Sequence, residues 1–249
     1  MVNSETSVFG YLMLESFSSD RVSLYSRFLE ADPGSTIVPF RVKLSRLESA
    51  INTVRTGMVR GMCIDPALYE SVSELVDAVT ADALAATVID TVYVDPLKGV
   101  LVGDCAAAVA YRSLVSDYLD SVENPMALMY GCAWETRVAL VAMRGKLAFA
   151  TVAGEIDSYS ETIDAGCRVE YMTDNLRPEP FDLVSNPNQD YKPADGQFVV
   201  DIDRNCDGDV STADFEARRL AVSVRRFMNL PESLDATVAN EYIKKAFRV

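Results

Sequence analysis

The chain has 249 residues, a formal net charge of −14 and no histidine. The last point excludes Ser-His-Asp and Cys-His triads, histidine-ligated zinc or iron and haem on a proximal histidine, leaving proton chemistry to Asp, Glu, Lys, Tyr or Cys. Nucleic acid and anionic membranes repel so acidic a chain on average, and a hydrophobic content of 49% suffices for a packed core.

In chain order, residues 8–14 read as a short strand or a helical turn. "SSDRVSLYSRFLEADPG" predicts a helix capped by Ser18 or Ser19 and stopped at Asp32–Gly34. "STIVPFRVKL" is extended, with Pro39 confining it to a sheet edge. Leu44, Leu47, Ile51, Val54 and Met58 recur at helical spacing. Asp65-Pro66 opens a further helix, with Leu68, Val72, Leu75 and Val79 as its inner face. "TVIDTVYV" is rich in β-branched residues and predicts a strand, and "DPLKG" a turn.

A helix follows from about Asp104 to Val122, broken by Glu123-Asn124-Pro125. The apolar window Pro125–Ala153 contains Glu135, Arg137, Arg144 and Lys146, too many charges for a membrane span. It reads as one long buried helix, with Gly145 a point of interruption. "FVVDI" is a short strand, and two helices close the chain, the second from Pro231 onward. The fold class predicted is mainly α with a few short strands. Its parts are a helical body over 1–173, a Pro/Asn/Asp-rich linker over 174–197 and a loop with two helices over 198–249.

Cys63, Cys105, Cys132, Cys167 and Cys206 include no C-x-x-C pair, so buried thiols are expected rather than a zinc ribbon or redox pair. The start "MVNSETSVFGYLMLESF" lacks a secretory pattern, which favours an intracellular or particle-associated location.

The most specific spacing lies in "DIDRNCDGDVSTADFEARRLAV". A calcium loop needs oxygen ligands at positions 1, 3 and 5, glycine at 6, a carbonyl at 7, a frequently water-mediated ligand at 9 and a carboxylate at 12. With Gly208 at 6, these are Asp203, Asn205, Asp207, Asp209, Ser211 and Asp214. The same residues could equally form a metal-free turn, with Ser211 and Asp214 capping a helix. "DRNCDGDVSTADF" resembles the calcium-binding half of a dockerin repeat, with Asp at position 12. That resemblance implies a bound calcium ion, calcium-dependent folding and docking onto a cohesin partner. It covers about twenty residues, carries one repeat where dockerins have two, and has Tyr191 where a second loop over Asn186, Asn188 and Asp190 would need glycine.

Other candidates are the carboxylates Glu155, Asp157, Glu161 and Asp164, Cys105 near a helix start, and the turn at Gly103. Trp134 reads as a core anchor and the pairs Arg218/Arg219 and Arg225/Arg226 as a solvated helix face. The expectation is a non-enzymatic structural or interaction protein, docking on a protein partner or on further copies. The alternatives are a metal-free coat or scaffold subunit, as of a virus particle, and an enzyme using carboxylates or a bound cofactor.

Overall fold

A computed structural model describes residues 6–16, 20–30, 34–131, 133–154, 164–172, 181–187, 192–202 and 208–230. In chain order the elements are β1 (Ser7–Leu14), α1 (Asp20–Leu29), β2 (Ser35–Val42), α2 (Leu47–Arg55), β3 (Gly61–Ile64), β4 (Ala78–Val79), α3 (Ala81–Ala86), β5 (Thr91–Val94), β6 (Leu101–Asp104), α4 (Ala106–Ser121), β7 (Met126–Tyr130), α5 (Trp134–Ala142), β8 (Phe149–Ala153), β9 (Arg168–Met172), β10 (Leu183–Ser185), β11 (Phe198–Val200) and α6 (Thr212–Met228). They form two compact units. Unit 1 comprises residues 1–83, 88–106 and 217–249, and unit 2 comprises 84–87 and 107–216.

Unit 1 holds a six-stranded sheet in the order β2-β1-β3-β5-β6-β4. β1 runs parallel to β2 and β3, and β5 lies antiparallel to β3 and β6. β1 is buried along both faces, so its apolar residues run on without alternation. Pro39, which has no amide to donate, sits in the edge strand β2 as its chemistry requires. Leu47, Ala50, Ile51 and Val54 of α2 bury one face at 3–4-residue spacing. Phe9, Tyr11, Tyr25, Phe28 and Leu220 belong to the core. The Phe9 and Phe227 rings approach to 5.2 Å between centroids. Gly61 is obligatory here, since a Cβ on it would lie 1.9 Å from the Phe227 ring.

Unit 2 holds a wholly parallel sheet in the order β11-β10-β7-β8-β9. Counting its strands along the chain, the spatial order is 3-2-1-4-5 read from the β9 edge inward to β7 and out again in the opposite sense, with β7 first, β8 and β9 to one side and β10 and β11 to the other. Such an order, reversing about its first strand, is that of a doubly wound dinucleotide-binding sheet. Tyr118 of α4 stacks on Phe198 of β11, centroids 4.6 Å apart, and its hydroxyl donates to the Asp182 carbonyl at 2.9 Å.

The mainly α expectation is thus corrected to α/β. The window Pro125–Ala153 is a strand, a helix and a second parallel strand, not one helix. A strand buried on both faces is continuously apolar, so periodicity cannot separate it from a buried helix. The helix expected from Asp65 also fails to propagate. Asp65 caps only the 3-10 turn Pro66–Leu68, and the chain is extended by Val76. Leu68 and Val72 are buried, but Val79 lies exposed in β4. Leu44 and Met58, expected on the buried face of a helix, are exposed. Residues 174–197 include β10, and Ser18, Ser19 and the helix expected from Pro231 lie outside the described residues. No described helix is long and apolar enough to cross a membrane.

Candidate functional site

The loop carrying the predicted ligands is described only in part. Asp203, Asn205 and Asp207 lie outside the described residues. Asp209 accepts the Val199 amide at 2.8 Å. Asp214 accepts the Ser211 hydroxyl at 2.6 Å and the Ser211 amide at 3.1 Å, while Ser211 Oγ accepts the Asp214 amide at 3.2 Å. That reciprocal pair caps α6 and uses the carboxylate expected at position 12. Gly208 lies outside the left-handed region. A Cβ there would stand 3.0 Å from the Val199 carbonyl oxygen, closer than ordinary van der Waals contact.

Two other places bring chemistry-bearing groups together. The first is the carboxyl edge of the parallel sheet in unit 2. Strand order reverses between β7 and β10, and open parallel sheets take ligands beyond the strand ends at such a point. Gly131, with φ 96°, directly follows β7, and Gly154, with φ 127°, directly follows β8. A Cβ on Gly154 would stand 3.6 Å from the Gly131 nitrogen, so the strand ends form a ledge of bare backbone. α5 starts beyond Gly131 with exposed Ala133 as its N-cap, a residue that makes no side-chain capping bond. Trp134 is buried at the first helical position. The Thr136 hydroxyl donates to the Gly131 carbonyl and holds the turn against the helix. Across the switch, Asn186 follows β10 with φ 50°, buried, its amide donating to the Val200 carbonyl at 2.7 Å.

The second place is the edge of the sheet in unit 1 where β3 and β6 end. Asp90 is fully buried. It accepts the Ala106 amide at 2.8 Å and the Thr91 hydroxyl at 2.8 Å, and pairs with Arg219 Nε at 3.2 Å. Arg219 also donates to the Ile64 carbonyl at 3.3 Å and to the Tyr69 hydroxyl at 2.8 Å. Burial pushes the Tyr69 phenol well above its ordinary range, against the opposing pull of Arg219. Asp104 accepts the Thr80 hydroxyl at 2.7 Å, the Cys105 amide at 2.8 Å and Arg226 Nε at 2.7 Å. Asp65 is less committed. It accepts the Tyr11 hydroxyl at 3.1 Å and the Ala67 amide at 3.2 Å.

The sequence pattern marked Asp65 as a helix cap, Asp104 as a helix start and Asn186 as part of an incomplete second loop, and did not single out Gly131 or Asp90. The strand–glycine–helix signal at Tyr130–Trp134 was hidden once the whole window read as helix. Arg219 and Arg225 are buried rather than solvated, and Cys63 and Cys105 are buried free thiols. Glu155, Asp157 and Glu161 lie outside the described residues. Asp164 is exposed, held below the usual carboxylate range by the Gly166 amide and by Arg144.

No protein-family model matches the chain, and no curated protein matches it. Solved structures do. The 5-ketofructose reductase of Gluconobacter sp. strain CHM43 aligns over 96% of this chain and 98% of its own, with TM-score 0.74 and 13% identity. A chorismate mutase/shikimate 5-dehydrogenase fusion protein from Clostridium acetobutylicum aligns over 97% and 99%, with TM-score 0.72 and 13% identity. Shikimate 5-dehydrogenase from Thermus thermophilus, in complex with NADP(H) and shikimate, aligns over 96% and 99%, with TM-score 0.70 and 15% identity. The likeness is one of fold: this chain has the Rossmann-like architecture of shikimate dehydrogenase-like proteins.

These findings correct several expectations. A dockerin-type or EF-hand resemblance does not extend to the fold, and among the described residues no group of His, Cys, Asp or Glu is placed to hold a metal ion. The calcium cofactor is withdrawn on both counts. The structural, virion-type reading and the lean away from an enzyme are overturned too, because the folds shared are those of dehydrogenases and a reductase.

The carboxyl edge of unit 2 fits the phosphate-bearing part of a dinucleotide. A tight glycine turn leads into a helix start whose N-cap residue, Ala133, makes no side-chain capping bond. Of the three glycines in the G-x-G-x-x-G pattern it keeps the first, Gly131. Ala133 replaces the second at the cost of one exposed methyl group, and Thr136 replaces the third and closes the turn by its hydrogen bond.

Proposed function

We propose that this chain is an oxidoreductase. It interconverts a hydroxyl and a keto group on a small polyhydroxylated substrate, with a nicotinamide dinucleotide at the carboxyl edge of unit 2. The observation that carries the reading is the doubly wound parallel sheet whose first two strands end in adjacent positive-φ glycines. Gly131 and Gly154 let a ligand approach the backbone, and the start of α5 favours its negative charge. When bound, the dinucleotide supplies the hydride acceptor or donor.

The chain itself must move the hydroxyl proton, and no histidine is present to do so. Asp90 and Asp104 are tied to arginines and backbone amides. Asp65 has one bond on each oxygen and keeps acceptor capacity on both. In this reading a carboxylate, lysine or tyrosine of the chain takes the proton as the substrate hydroxyl is oxidised and returns it in the reverse direction. The reading is supported by fold likeness to a shikimate 5-dehydrogenase and a 5-ketofructose reductase. Its test is turnover with shikimate, related hydroxy acids and ketoses, followed by nicotinamide oxidation or reduction. Turnover of at least one of these is expected. No turnover across the panel contradicts it.

A further inference from the structure

We infer that unit 1 carries a ligand site of its own, a cleft at the edge of its sheet where β1 and β3 begin, and that it takes an organic anion, an alkyl or aryl carboxylate. The inference stands independently of the reading just given. The cleft encloses about 820 Å³, within the roughly 300–1,000 Å³ typical of small-molecule sites. Val8, Val59 and Phe227 give it an apolar wall, and Met58 and Met228, which also line it, are 72% and 38% exposed. Two more exposed apolar side chains, Leu97 and Leu230, line a smaller hollow that shares Pro96, Arg226 and Asn229 with the cleft. Four exposed large apolar side chains thus gather at one place, and such a patch, unlike single scattered ones, marks a binding surface.

The same lining carries three guanidiniums, those of Arg55, Arg60 and Arg226. α2 and α6 both end at the cleft, and bare helix C-termini would repel an anion. Here the chain takes up final carbonyls itself. Gly57 at φ 74° and Asn229 at φ 52° turn the backbone, so that the Met58 amide donates to the Thr53 carbonyl and the Leu230 amide to the Arg225 carbonyl, each at 2.9 Å. What the helix ends present is therefore positive. Arg55 is held by Asp77 at 2.7 Å and Arg226 by Asp104 at 2.7 Å, which places both guanidiniums before a ligand arrives and lowers the cost of binding one. Arg60, just ahead of β3, is exposed and makes no ion pair among the described residues. A guanidinium receives a carboxylate through paired hydrogen bonds, while the valines, Phe227 and the methionines receive its apolar body.

The full chain is titrated with anilinonaphthalene sulfonate and with phenylnaphthylamine, the same aromatic body without the sulfonate, reading dye emission. One saturable site per chain is expected, at least tenfold tighter for the anionic dye. Decanoate is expected to displace that dye, and excess NADH to leave it in place. Arg60→Glu and Met58→Glu, both at exposed side chains, are each expected to weaken the anionic dye at least tenfold in a chain that still melts cooperatively. Equal affinity for the two dyes, an affinity that neither substitution changes, or displacement by NADH overturns the inference. So does a dimer in solution that Met58→Glu dissolves, which would give this face to a second copy of the chain.

Discussion

Arg219→Met removes the cation from a fully buried pair. The side chains of Arg219 and Asp90 are 1% and 0% exposed, 3.2 Å apart. The substitution takes the cation from the Asp90 carboxylate, which keeps the Ala106 amide and the Thr91 hydroxyl, and removes a donor from the Ile64 carbonyl and from the Tyr69 hydroxyl. Removing one partner of such a pair costs about 3–5 kcal/mol, a large share of the roughly 5–15 kcal/mol that holds a domain together. Asp90→Leu alone strands the arginine and should cost as much. The double variant should cost less than the sum of the two, since an apolar pair avoids both desolvated charges. Urea denaturation of the full chain measures each free energy, with unchanged m-values showing that the variants unfold the same way. Arg219→Met costing under about 1 kcal/mol, or a strictly additive cycle, would refute the argument that Asp90 is spent on architecture.

Asp65→Asn keeps an acceptor for the Ala67 amide and turns the contact with the Tyr11 hydroxyl into one in which the side-chain amide donates, so the melting temperature should change little in a thermal scan. Gly131→Ala forces an L-residue to φ 96°, which should cost about 1–2 kcal/mol or more in denaturant titration and weaken dinucleotide binding. Asp214→Ala should cost about 1 kcal/mol through the lost α6 cap, and calcium or chelator should leave the melting temperature of the wild-type chain unchanged. The Arg55 guanidinium, at 2.7 Å, holds the exposed Asp77 carboxyl below its ordinary range, with help from the Leu101 amide. A depressed folded pKa contributes stability above the unfolded value and loses it as pH falls through the folded one. The stability difference between wild type and Arg55→Gln should therefore shrink below the normal aspartate range, as pH-dependent urea titrations would read.

Elements that announce themselves locally were legible in the sequence. Pro39 placed β2 at an edge, the β-branched run expected as a strand over Thr87–Val94 is one over its second half, β5, and Asn124-Pro125 ended α4. What was illegible depended on partners distant in sequence. Met126–Tyr130 is apolar throughout because it is covered on both faces, and nothing in those five residues says so. β10 is three residues long and sits in a stretch rich in Pro, Asn and Asp, so only its pairing with β7 and β11 identifies it as a strand. The candidate site shared that fate. Gly131 is a single glycine until β7 is seen as a strand and α5 as the helix it feeds. The meaning of Asp90 depends on Arg219, 129 positions on. The calcium-like spacing was a true local signal put to another use, since Ser211 and Asp214 cap α6 and Gly208 makes room for Val199.

One binding measurement tests the dinucleotide site most directly: calorimetric titration of the full chain and of Gly131→Val with reduced nicotinamide dinucleotide. Saturable one-to-one binding to the wild type, lost or weakened at least tenfold in a variant that still unfolds cooperatively, is the predicted result. Heat indistinguishable from dilution at millimolar dinucleotide, or equal affinity in the two proteins, would contradict it.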